Sequence, residues 1–172
     1  MKNKIVSIVM GSDSDISVME EASKILNDFG VGYEFTISSA HRSPDRTRQY
    51  IDGLKQNGIK IVIAGAGGAA HLAGVIAAES VIPVIGVPID SSPVKGIDSI
   101  FSTLQMPSGV PVATMALGKA GAKNAAILAL QILALSDIEI YKQLIDYKNR
   151  LEKLVEEKAK RLDEKREKDN KT

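Results

Sequence analysis

The sequence predicts a three-layer α/β domain built on a doubly wound parallel sheet, with a long C-terminal helix. Three observations carry this expectation. Short runs rich in Val and Ile recur along the chain. Segments with apolar residues at helical spacing separate them. The runs are apolar nearly throughout, as strands are when helices cover both faces of a sheet. At 172 residues the chain is long enough for one core that needs neither disulfide nor metal.

In chain order the expected strands fall at 5–10, 33–38, 59–64, 84–88 and 110–115. The first helix begins near Ile16 and spaces Val18, Ala22, Ile25, Leu26 and Phe29 along one face. The second starts at Pro44, where a proline suits the first helical turn, and carries Tyr50, Ile51 and Leu54. Further helices fit 69–80, 97–105 and 120–135. Strand alternating with helix implies parallel strands joined by right-handed crossovers. From Ile138 onward, Tyr141, Leu144, Ile145, Leu151, Leu154 and Val155 continue an apolar stripe, whereas beyond Lys158 only Ala159 and Leu162 are apolar. The expected division is one catalytic domain over 1–158, C-terminal helix included, and a charged, solvated tail over 159–172. A helix that projects from a sheet domain commonly packs on a neighbouring subunit, so the stripe points to a homo-oligomer.

Composition narrows the function classes. There is no cysteine, so thiol chemistry and disulfides are excluded. Lys plus Arg at 22 nearly balances Asp plus Glu at 21, leaving no global field to attract nucleic acid. Aromatics at 4% with no Trp argue against base-stacking platforms and aromatic-lined flavin pockets. No apolar run approaches the roughly 20 residues that span a bilayer, and Met-Lys-Asn-Lys enters a strand rather than a signal-peptide core. A cytoplasmic protein without membrane contact is expected.

Ligands in doubly wound sheets sit outside the carboxyl ends of the strands, near the point where strand order reverses. That rule singles out the loops at 11–15, 38–45 and 65–71 and the stretch after Pro88, which hold both histidines and most of the glycine-rich sequence. The first, within "MGSDSD", is shaped for an anion: backbone amides at a helix start favour negative charge. Asp13 and Asp15 would repel one. On the residues alone the turn either binds a ligand or caps the helix with Ser12, Asp13 or Ser14. The second loop, "SSAHRSPD", sets a proton carrier, His41, beside Arg42, whose planar fork fits phosphate. The third, "IAGAGGAAHLAG", superficially matches a dinucleotide fingerprint but lacks its acid about 20 residues on. Its small residues let backbone approach a flat ligand. His71 there is either a ligand contact or a structural histidine bonded to backbone. "QMPSGVPVATM" reads as a rigid turn. No metal-ligand spacing, nucleophile elbow or Walker lysine appears.

Taken in order, "MGSDSD", "SAHRSPD", "AGAGGAAHLAG", "GVP", "DSIFSTLQMPSGVPVAT" and "GKAGAKNAAILALQIL" resemble the bacterial-type 5-(carboxyamino)imidazole ribonucleotide mutase family of purine biosynthesis, over residues 4–147. The resemblance implies a flavodoxin-like subunit and a homo-octamer in which the C-terminal helix and the "QMPSG" loop reach adjoining subunits. It implies no metal, nucleotide or organic cofactor. The substrate it implies is a ribonucleotide monophosphate. Ser12 and loop amides with Arg42 would face the phosphate, and Asp15 would accept hydrogen bonds from ribose hydroxyls, with Asp13 left solvated. Ser39, Ala40, Gly67, His71 and Leu72 complete the implied substrate contacts. His41 would be the catalytic residue, acid at the carbamate nitrogen and base at the ring carbon, while the 65–71 loop retains carbon dioxide in a dry pocket.

Ile16, Ala73, Val75 and Ser43 stand where the family commonly has Trp, Pro, Met and Thr; none is a reacting group. The related carboxylase, which uses free carbon dioxide, usually reads "GSSSD" and "SAHK" and lacks "AGAGGAAHL", so Asp13, Arg42 and residues 64–72 favour the mutase. A non-catalytic flavodoxin-like nucleotide-binding module is the alternative of another class.

Overall fold

The computed structural model describes residues 3–169. Its sheet has five parallel strands in the order β2-β1-β3-β4-β5: β1 Lys4–Met10, β2 Gly32–Ile37, β3 Ile61–Gly67, β4 Val84–Ile89 and β5 Ala113–Thr114. The helices are α1 Ile16–Asp28, α2 Pro44–Gln56, α3 Leu72–Glu79, α4 Ile97–Leu104, α5 Gly118–Ala134 and α6 Ile138–Asp169. Helices lie on both sides of the sheet, and the fold is flavodoxin-like. β1 pairs with β2 on one side and β3 on the other, Met10 lying opposite both Ile37 and Gly65. Chain order therefore reverses at β1, and the loops after β1 and β3 diverge there.

Val6 to Met10 are all buried, because both faces of β1 are covered. Val9, Val62 and Val84 meet Ile51 and Leu54 of α2 and Ile76 of α3 in one core cluster. Met19 of α1 lies over Gly65 so closely that a Cβ there would overlap its sulfur. Lys123 of α5 reaches Glu21 of α1 at 3.1 Å.

Two elements are shorter than the sequence suggests. α3 starts at Leu72 rather than 69, because Gly68 takes a positive φ of 61°, and a tight bond from His71 N to the Ala69 carbonyl follows at 2.8 Å. β5 holds two residues. Pro111 has no amide to donate, and β5 is an edge strand.

The chain gathers into two compact units, one ending at Leu130 and the other beginning at Gln131. In the second, Asp137 caps α6, its Oδ1 accepting from the amides of Glu139 at 3.0 Å and Ile140 at 3.2 Å. Within α6 the buried apolar positions are Ile140 and Leu144; Tyr141, Ile145, Leu151, Leu154 and Val155 of the stripe are not buried. The helix continues to Asp169, through all of the described part of the tail expected at 159–172; residues 170–172 lie outside the described residues. Among the described residues no helix is long and apolar enough to cross a membrane.

Candidate functional site

A cleft of about 390 Å³ opens at the carboxyl ends of β1, β2, β3 and β4, and every site residue singled out from the sequence lines it: Ser12, Asp15, Ser39, Ala40, His41, Arg42, Gly67, His71 and Leu72.

The first loop divides capping and site roles between its residues. Ser12 caps a 3-10 turn at Asp13–Asp15, its Oγ accepting from the Ser14 amide at 3.4 Å. The same hydroxyl donates to Asp13 Oδ1 at 3.0 Å, and Asp13 is exposed. Asp15 occupies the N-cap position of α1 but makes no side-chain cap bond. Its carboxylate, 3% exposed, accepts from Ser14 Oγ at 3.2 Å. Burial lifts its pKa above the ordinary 3.8; the Ser14 and Ser12 hydrogen bonds, and Arg42 at longer range, oppose that rise. Asp15 is thus a buried acid on the cleft wall that makes no cap bond.

The second loop holds its arginine from two sides. Arg42 donates through an Nη to the Gly11 carbonyl at 3.2 Å and through Nε to Ser39 Oγ at 3.4 Å, joining the loops after β1 and β2. The Ser43 amide donates to the Ser39 carbonyl at 2.9 Å, and buried Ser38 and Thr47 share a hydroxyl bond of 2.9 Å. The loop is thus fastened to α2, and the remaining guanidinium donors stay available. A shallower recess beside the cleft is shared by Ser12, Ser39, Arg42 and Arg46, with Arg46 Nε donating to the Ile37 carbonyl at 3.1 Å.

His41 and His71, from different loops, meet through His41 Nε2 and His71 Nδ1 at 2.9 Å with their rings edge to face. One nitrogen of the pair carries the shared proton, so the tautomer of one ring sets that of the other. His71 therefore bonds a side chain, that of His41, through Nδ1. Both rings are exposed to the cleft side, as proton exchange with a ligand requires.

Two residues of the site region, Ser91 and Arg46, carry no mark in the sequence that singles them out, and Ser14 is marked there only as a possible cap. Ser91 follows β4 and lies over Gly67: a Cβ on that glycine would overlap the Ser91 hydroxyl and approach the Ile89 carbonyl to 2.9 Å. The strand-end rule points to the stretch after Pro88, but nothing in its sequence distinguishes Ser91 from Ser92. Among the described residues no group of three or more His, Asp or Glu could hold a metal ion.

Comparison with known proteins agrees in extent and in kind. Residues 5–154 match the family described as AIR carboxylase. The chain is 56% identical over 160 residues to the N5-carboxyaminoimidazole ribonucleotide mutase of Pyrococcus horikoshii, covering 93% of this chain and 89% of that protein. Identity to the mutase of Bacillus subtilis is 47%, over 92% of this chain and 98% of that protein. A phosphoribosylaminoimidazole carboxylase of Schizosaccharomyces pombe is 46% identical over 95% of this chain but only 29% of its own length. The crystal structure of Treponema denticola PurE2-S38D superposes with a TM-score of 0.82 at 30% identity, over 93% of this chain and 98% of that one.

Proposed function

The chain belongs to the AIR carboxylase family, and we propose that its cleft moves the carboxylate of 5-(carboxyamino)imidazole ribonucleotide from the exocyclic nitrogen to ring carbon four. This is the mutase reaction of purine biosynthesis, in keeping with the names of its full-length relatives; the carboxylase alternative is not favoured. The observation that carries the reading is the convergence on one cleft of Arg42, buried Asp15 and the His41–His71 pair.

Phosphate lies against Ser12, Ser39 and the free donors of Arg42, where a planar fork outperforms a point charge. Ribose hydroxyls donate to Asp15, a bond strengthened by the carboxylate's removal from water. Ala40, Gly67 and Leu72 border the aminoimidazole. His41, protonated, gives its proton to the carbamate nitrogen as the nitrogen–carbon bond breaks, releasing carbon dioxide. The ring carbon attacks that carbon dioxide, and His41 takes back the proton the ring carbon loses, so protons balance over the cycle. Carbon dioxide held beside the ring replaces a dilute encounter with a positioned one. No cofactor enters the scheme.

The protein acts in the cytoplasm as a homo-octamer. The exposed apolar side chains of Ile97, Phe101 and Leu104 on α4 and of Leu151 and Leu154 on α6 support burial between subunits. Octameric mass by light scattering is expected, and a monomer at micromolar concentration overturns the assembly. The reaction is tested by assaying purified protein on 5-(carboxyamino)imidazole ribonucleotide and, separately, on aminoimidazole ribonucleotide with and without bicarbonate. Turnover of the first without bicarbonate is expected; turnover of the second alone overturns the mutase reading.

A further inference from the structure

Resting on that reading, we propose that Ser91 contacts the substrate and holds the migrating carboxylate through its hydroxyl during transfer. Its side chain is pressed against the α-carbon of Gly67 at the wall of the cleft. It hydrogen-bonds to no described residue. The hydroxyls that follow it on α4 behave differently: Ser99, Ser102 and Thr103 each donate to a backbone carbonyl, at 2.9, 2.6 and 2.7 Å. The neighbouring Ser92 hydroxyl is also without a partner among the described residues, but its oxygen is buried and it does not line the cleft, whereas Ser91 does.

Its position along the sheet edge supplies the ligand. Arg42 follows β2, Asp15 follows β1, His71 follows β3 and Ser91 follows β4, in the spatial order of the strands. Adjacent strands lie about 4.8 Å apart. A ribonucleotide with its phosphate on Arg42 and its ribose on Asp15 directs its ring toward β3, and the carboxylate beyond the ring toward β4. Of the residues lining the cleft, Arg42 is the one arginine or lysine, and it sits on the opposite flank. A neutral donor suits the carboxylate end. A full positive charge there would stabilise the starting carbamate and oppose the bond cleavage, whereas a hydroxyl can follow the group as carbamate, carbon dioxide and product carboxylate. Ser91 keeps its own proton throughout; its O–H donates to a carboxylate oxygen at the start and the end.

Ser91→Ala removes the donor without adding volume, and since no protein bond is lost the melting temperature should not change. On 5-(carboxyamino)imidazole ribonucleotide, kcat should fall about tenfold, the scale of one hydrogen bond to a charged group. KM should change far less, because phosphate and ribose contacts remain. The fraction of turnovers that release uncarboxylated aminoimidazole ribonucleotide should rise. Wild-type kcat and wild-type release in the variant overturn the proposal, as does a loss of activity that merely tracks a lowered melting temperature. A wild-type protein inactive on this substrate instead overturns the mutase reading itself, so the failures are distinct.

Discussion

The two flanks of the cleft are built by opposite means. The loops after β1 and β2 bring charge and hydroxyls: Asp15, Arg42, Ser12 and Ser39. The end of β3 and the loop after it bring mainly absence: Gly65 leaves room for Met19, Gly67 for Ser91 of the loop after β4, and Gly68 for a left-handed turn. Side chains that bind can be replaced with little harm to the fold. Missing side chains cannot be added so freely, because at Gly65 and Gly67 the space they would need is already occupied and at Gly68 the backbone is left-handed. The polar flank should therefore fail in kinetics, and the glycine flank in stability and kinetics together.

The largest effect is expected where the flanks meet. His41→Asn keeps a hydrogen-bonding group near His71 but cannot carry a proton, so turnover should fall by roughly 10²- to 10⁴-fold with substrate affinity largely kept. Near-normal kcat in a stopped-flow or steady-state assay removes His41 from proton transfer and leaves the comparison without a catalytic centre. Gly67→Ala tests the other flank. Its Cβ would overlap Ser91 and approach the Ile89 carbonyl, so unfolding in urea should show a loss of about 1–3 kcal/mol, with reduced turnover. Combining it with Ser91→Gly should recover part of the stability, since one of the two collisions is relieved. An Ala variant as stable as wild type would show that this flank is not closed by packing.

The same contrast explains what can be read from the sequence. β1, α1 and α2 are legible because apolar spacing, a glycine turn and Pro44 mark their limits. Charged residues in the strand-end loops are legible by type, and Arg42 and Asp15 do line the cleft. The bond between His41 and His71 is not, because 30 residues separate them and only the sheet brings their loops together. Nor is Ser91, whose signal is a glycine on another strand. β5 is shorter than its sequence suggests because Val110 and Val112 carry strand propensity, while Pro111 and an edge position limit pairing. On α6 the periodic stripe is visible, yet Ile140, which lies off it, is buried while Tyr141 is exposed.

The smallest effect, and the most discriminating for the polar flank, is expected at Asp15. Its folded-state pKa lies above the ordinary 3.8, chiefly through burial. The folded chain therefore holds that proton to higher pH than the unfolded chain does. Stability from this group is fullest below its unfolded value and declines as pH rises through the folded one. Asp15→Asn removes the ionisation, so the variant should gain stability over wild type as pH is raised from about 4 to 7, with little difference near pH 3. Binding should move the other way. Asn offers ribose hydroxyls only a neutral acceptor, and KM should rise roughly tenfold, the lower end of what a hydrogen bond to a charged group contributes. A residue that merely capped α1 would give neither result: Asn is as good a cap as Asp, so both stability and KM would match wild type. A variant more stable at neutral pH and weaker in substrate binding would mean that the cleft keeps this carboxylate at the expense of its own fold. Unchanged urea midpoints across that pH range, together with an unchanged KM, would return Asp15 to the role of a helix terminus and leave the polar flank resting on Arg42.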